Sequence, residues 1–310
     1  MSTIVPRKFL SIGNFQSMAF QLPELGIFSI AMMITLVSGG LNLSVITTAN
    51  LSSIFTALFL KHLSNPDAIG IMSTSIILLA VGVGILSALF LGFINGFLIA
   101  FVGVSPILAT LGTMTLYDGL AIVITKGYVI SDFPKGFLLI GNGTLFGIPI
   151  SLIIFILCAF IIAITLNRKP YGYSVYMLGS NPVATEFSGI NVRSVLINTY
   201  LISGLLSGIA SVIMTSRFNS ANAGYGASYL LITVLIAVLG GVNPFGGFGK
   251  VSGLIMALII LQFISSGLNL LGVTAFVTIS LWGTILILVM GFNHFIYSRR
   301  IIRVHRLLES

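Results

Sequence analysis

Apolar runs of bilayer-crossing length, parted by short polar breaks, fill this chain from residue 22 to residue 290. A crossing helix needs ~20 largely apolar residues, with a range of about 17–25. In lipid every backbone amide must find its partner within the chain, so runs of this kind fold as helices. The candidate spans are 22–37, 43–60, 69–88, 89–104, 107–125, 150–166, 195–215, 229–242, 251–268 and 273–290. The stretch 69–104 is too long for one crossing and is expected to break near Gly92, Asn95 and Gly96. The spans that meet at Ser38, Gly39 and Gly40 are short. The expected fold is an all-α polytopic membrane protein of about ten transmembrane helices, some of them broken or re-entrant.

Composition agrees. Apolar residues make up 57% of the chain and charged residues 6%, against roughly a quarter charged in a soluble domain. The net charge of +8 does not point to nucleic acid, because of where the charges sit. Arg7 and Lys8 precede the first run, and Arg299, Arg300, Arg303 and Arg306 follow the last. Lys and Arg are retained on the cytoplasmic side, so both termini read as cytoplasmic. The one cysteine, Cys158, lies inside an apolar run, so no internal disulfide is possible. The first run lacks a short apolar core followed by a small-residue cleavage site, and reads as a retained span.

The longest polar interruption of the second half runs over 167–191, NRKPYGYSVYMLGSNPVATEFSGIN. Arg168 and Lys169 open it, Arg193 follows it, and it carries Glu186. A basic-flanked loop between spans belongs on the cytoplasmic side. Six candidate spans precede it and four follow, which suits cytoplasmic termini. The loop 127–149, with Asp132 and Lys135, then faces outside and has the length to cap the outer mouth.

The glycine-rich stretch GGVNPFGGFGK (240–250) fails as a phosphate loop: Pro244 stands where the first Gly is required and Val251 where Ser or Thr would meet magnesium. It reads as a tight turn between membrane helices. Asp118 reads as the only acid deep in an apolar run. It is either a functional charge facing protein or water, or a solvated group near the outer mouth paired with Lys126. Asn42, Asn95, Thr110, Thr113 and Asn269 head clusters of neutral polar side chains. These can line a path for a polyol, or hydrogen-bond between helices. Gly92-x-x-x-Gly96 and Gly204-x-x-x-Gly208 permit close helix approach. His62, His294 and His305 are dispersed, without metal-ligand spacing. No carboxylate pair, zinc motif or activated nucleophile suggests an enzyme, and no cofactor is expected.

Six pieces in order carry a resemblance: GGLNLSV (39–45), GFINGFLI (92–99), PILATLGTMTLYDG (106–119), LGSNPVATEFSGINV (178–192), LGGVNPFGGFGKVSG (239–253) and SSGLNLLGV (265–273). The chain resembles the permease subunits of bacterial ABC importers for monosaccharides, a family that includes autoinducer-2 importers. Asn42 stands where the family's first motif usually has Asp, and Asp118 where many members have Arg. The resemblance implies one transmembrane permease domain over 1–310 in the bacterial inner membrane, surrounded by lipid. It also implies a second permease copy or paralogue, ABC ATPase subunits and a periplasmic or lipid-anchored sugar-binding receptor.

On that resemblance the segment about 167–194 couples to the ATPase. Gly179, Asn181, Pro182, Glu186, Gly189 and Arg193 belong to it. Asn42, Asn95, Thr110, Thr113, Asp118 and Asn269 are the candidates for the translocation pathway. ATP hydrolysis then belongs to a separate chain, and a monosaccharide or small polyol crosses by alternating access. The rival readings are an ion-coupled secondary transporter, for which intramembrane acids are scarce, and a membrane-embedded enzyme, for which no constellation exists.

Overall fold

A computed structural model describes residues 9–63 and 71–308, with backbone alone at 71–73 and 292–308. Twelve α-helices are present among the described residues: α1 (Ile12–Val37), α2 (Val45–Leu63), α3 (Ile71–Phe97), α4 (Pro106–Thr125), α5 (Lys135–Asn142), α6 (Ile150–Arg168), α7 (Pro170–Ser180), α8 (Pro182–Phe187), α9 (Val192–Phe218), α10 (Tyr229–Leu239), α11 (Val251–Leu270) and α12 (Ala275–Leu308). Two-residue strands complete it: β1 (Ile130–Ser131), β2 (Thr144–Leu145), β3 (Ile148–Pro149) and β4 (Ser220–Ala221). Six helices are long and apolar enough to cross a membrane, judged by length and composition. Two shorter apolar helices, Tyr229–Leu239 and Ala275–Gly291, accompany them.

The core lies between α1 and α9. Both are largely buried, and α9 packs against α1, α2, α3 and α5. Small residues make this possible. Gly92 and Gly204 face each other where α3 crosses α9: a Cβ on Gly204 would lie 2.6 Å from the Ala88 carbonyl oxygen and 3.0 Å from the Gly92 Cα. Gly208 lies against Ala88 and Ile85 in the same way. Such close approach is how helices associate where lipid offers no hydrophobic drive between them.

That packing corrects the expected break in 69–104. Over 71–102 the chain is one continuous helix, α3, passing without interruption into a π-helical turn at Leu98–Val102 and ending at Gly103, which is left-handed at φ 78°. Gly92 and Gly96 are docking points for α9, not breaks, and Asn95 is held between them. Of the six described helices long and apolar enough to cross, α1, α3, α4 and α6 precede the polar interruption and α9 and α11 follow it, as do the two shorter apolar helices.

The chain's direction follows from its contacts. Asn14 near the start of α1 accepts a hydrogen bond from Ser266 (2.8 Å), four residues before α11 ends. The Val37 carbonyl at the end of α1 accepts from Gly247 N (2.9 Å), in the turn before α11 begins. So α1 starts at the end of the molecule opposite α7 and α8. The expected side of the N-terminus rested on Arg7 and Lys8, which lie outside the described residues, as do the side chains of Arg299, Arg300, Arg303 and Arg306.

The expected break at Ser38–Gly39–Gly40 is found. The chain leaves α1, turns through Gly39 at φ 85° and re-enters the bundle irregularly before α2 starts inside it. At the other end of the bundle, α5, the β2–β3 hairpin (Thr144↔Pro149) and the β1–β4 pair (Ile130↔Ala221) form a cap. The Ser216 hydroxyl on α9 donates to the Phe137 carbonyl (2.7 Å) and accepts from Gly141 N (2.7 Å), tying that cap down.

Candidate functional site

The polar interruption folds as two short helices, and each punctuating residue has an identifiable task. Asn181 is the N-cap of α8, its side-chain oxygen accepting from Ala184 N (3.0 Å). Pro182 takes the first helical position, where its missing N–H costs nothing. Gly189 adopts φ 78° just past the end, and the N–H of Ile190 reaches back to the Thr185 carbonyl (3.4 Å), closing the helix with a left-handed cap. Asn191 then caps α9 by accepting from Ser194 N (3.1 Å). Of the residues of α8 only Thr185 is buried. Val183 and Phe187, four apart and so on one face, are 62% and 89% exposed. Glu186 is exposed beside them.

This knuckle is tied to the bundle through bare backbone. Gly179, near the end of α7, lies against Gly39 and the turn over 243–249. A Cβ on Gly246 would stand 2.6 Å from the Gly179 carbonyl oxygen and 2.8 Å from the Gly39 Cα. The Tyr176 hydroxyl donates to the Gly249 carbonyl (2.6 Å). Tyr171 donates to Thr199 of α9 (2.8 Å), whose own hydroxyl proton goes to the Val195 carbonyl. Burial pushes the Tyr171 phenol up to about 12, its bond to Thr199 pulling the other way, so that tie keeps its proton. Arg193 in the first turn of α9 lies over the Phe101 ring, 5.6 Å from its centre. The glycine-rich stretch 240–249 is thus a joint between segments, as expected of a turn.

Four of the six residues chosen as pathway candidates meet in one buried network. The Thr113 hydroxyl donates to Asn95 Oδ1 (2.6 Å), and the Asn95 amide donates to the Ser44 hydroxyl (2.8 Å). Ser44 donates to Asn42 Oδ1 (2.8 Å), and the Asn42 amide donates to the Ser203 hydroxyl (3.0 Å). Ser203 ends the line on the Ala31 carbonyl (3.1 Å). Thr110 bonds the Leu41 carbonyl (2.9 Å). This network satisfies the polar groups of the re-entrant stretch 38–44, and interhelical hydrogen bonding accounts for all four residues. Asp118 and Asn269 stand apart from it. Asp118 is half-buried on α4 and makes no hydrogen bond or ion pair among the described residues, with Lys126 included; Asn269 is exposed.

One charged cluster escaped the sequence reading. Glu24, and not Asp118, is the acid most deeply placed, 1% exposed inside α1. Arg217 of α9 grips it with two bonds, Nε to Oε2 (3.1 Å) and Nη2 to Oε1 (2.5 Å), and Tyr229 of α10 donates to Oε1 (2.8 Å). It is the only ion pair among the described residues. The signal available was Glu24 itself, one of six acids in the chain and set within the first apolar run.

A family model described as "Branched-chain amino acid transport system / permease component" matches residues 14–291. The chain belongs to that family. The permease is 33% identical over 272 residues to the "Autoinducer 2 import system permease protein LsrD" of Yersinia enterocolitica, a match covering 86% of this chain and 79% of the relative. It is 33% identical to the protein of the same name from Yersinia pseudotuberculosis (86% and 78%) and 32% to that of Yersinia pestis (86% and 78%). No solved structure matches it. The permease is a multi-pass protein of the inner membrane, in line with its apolar helices.

Proposed function

We propose that this permease is the membrane subunit of an ABC-type importer and carries a monosaccharide or related small polyol by ATP-driven alternating access. The relatives' names make autoinducer 2 the first solute to assay. The observation that carries the reading is the α7–α8 knuckle. A short helix is capped at both ends, held by one buried threonine, and presents Val183, Glu186 and Phe187 outward. Val183 and Phe187 exposed on a short capped helix in a polar, basic-flanked segment fit a docking contact. Partner ATPases seated there on the cytoplasmic face would push the knuckle as a rigid body. The glycine joint would then carry the motion to α1 and to the re-entrant stretch.

Asp118 supports a paired arrangement. A charge in an otherwise apolar helix costs ~3 kcal/mol or more if it faces lipid. An unpartnered Asp118 on the sparsely covered α4 therefore fits a water-filled path or a second permease subunit. A sugar-binding receptor would deliver solute at the capped outer end.

The test is uptake by the assembled transporter. With Phe187→Ala or Glu186→Ala, ATP-driven uptake should fall about tenfold or more, as loss of an interface anchor predicts, while the amount of inserted permease stays the same. Unchanged uptake in both variants removes the docking assignment. The ion-coupled alternative gains one acid in Glu24, but Arg217 and Tyr229 already hold it. Uptake that survives ATP depletion and collapses with the ion gradient would decide for that alternative.

A further inference from the structure

Beside the Glu24–Arg217 pair lies a partly open cavity of about 150 Å3, lined by residues of α1, α9, α10, α11 and α12. It is well below the ~300–1,000 Å3 of sites for drug-sized ligands, so it suits a small solute. Three features of its wall fix the chemistry of that solute. First, Arg217 lines it, but Glu24 cancels the charge. A guanidinium has five N–H donors, and Glu24 engages two of them. The wall offers donors without offering a net cation.

Second, Gln21 and Gln262 also line it, the Gln262 amide donating to Gln21 Oε1 (3.2 Å). Carboxamides both donate and accept, as hydroxyl groups do. Third, Trp282, buried on α12, supplies a flat apolar surface next to Leu261. A carboxylate or phosphate would find no uncompensated positive charge here. A purely apolar molecule would strand the amides and the guanidinium. A compound with hydroxyls on its edges and C–H groups on its face satisfies both parts.

We propose that this cavity is a binding site for a neutral polyhydroxylated small molecule, a way-station on the permease's route. Glu24 acts as a positioning residue that holds Arg217 against the wall and neutralises it. The assignment rests on the reading that the cargo is a small polyol.

Trp282 is the only tryptophan in the chain, so the tryptophan fluorescence of the purified full-length permease in lipid vesicles, excited where tyrosine does not absorb, comes from a residue of this cavity wall. D-ribose and ribitol serve as neutral probes, and ribonate as the anionic counterpart. A saturable change in Trp282 emission with a neutral probe, and a response to ribonate at least ~tenfold weaker, is expected. The double variant Gln21→Leu/Gln262→Leu removes both amides together, a replacement that can be nearly neutral for folding. It should lose the response by about tenfold or more while its thermal unfolding stays near that of the parent. Absence of a saturable response to either neutral probe overturns the site, and so does tighter binding of ribonate. Retention of the full response in a folded double variant overturns the assigned wall. Uptake by the assembled transporter separates this from the functional reading. Saturable binding without ATP-driven uptake keeps the site and sinks the importer. ATP-driven sugar uptake with a silent Trp282 sinks the site alone.

Discussion

Glu24 brings a carboxylate into an apolar helix and finds a guanidinium fork and a phenol already in place. Two charges removed from water repay their desolvation only when the geometry is good and every remaining lone pair is met. Removing one partner therefore costs more than removing both. Glu24→Gln should destabilise the permease by about 3–5 kcal/mol, the range for an orphaned buried charge. Glu24→Leu combined with Arg217→Met should restore most of that loss. Thermal unfolding in detergent checks both, and equal damage by the single and double variants would contradict the account. The capping residues of the knuckle were readable from the sequence because their chemistry is local: Asn181 bonds a neighbour three residues on. Glu24 and Arg217 are 193 residues apart, and Asn42 and Ser203 are 161 apart. Pairings over such separations leave no mark within any short window of sequence.

At the scale of elements, α3 and α9 meet backbone to backbone at Gly92 and Gly204. Gly204→Val should drive the helices apart and cost about 1–3 kcal/mol, the usual penalty of overpacking. Gly112→Ala on α4 is the matched control, since a Cβ there meets nothing within 4 Å, and its effect should stay within about 1 kcal/mol. Unfolding measurements that rank the two variants in the reverse order would refute this packing. The same crossing explains why the sequence misled. Gly92, Asn95 and Gly96 look like a helix breaker, because glycine weakens helices in water. Between two membrane helices the same residues let backbones touch, and the helix runs on. The two candidate spans that were parted at residue 88 therefore belong to one helix over 71–102.

For the molecule as a whole, the contacts set the knuckle and the β2–β3 hairpin at opposite ends. Cys158 is the only cysteine and is buried, so Cys158→Ala gives a clean background for labelling. Phe187→Cys should react with an impermeant thiol reagent only from the cytoplasmic side. Phe146→Cys, at the hairpin tip and 96% exposed in the parent residue, should react only from outside. Labelling of both from one side would void the proposed orientation. The membrane class and the two-ended plan could be read from charge and hydropathy. The re-entrant stretch could be located by its glycines, but not the network that anchors it. A further consequence attaches to the meeting of Gly39, Gly179 and Gly246. Main chain against main chain leaves no side-chain rotamers to absorb a displacement. If partner ATPases drive the knuckle as proposed, its stroke would pass to the stretch after Gly39 with little slack.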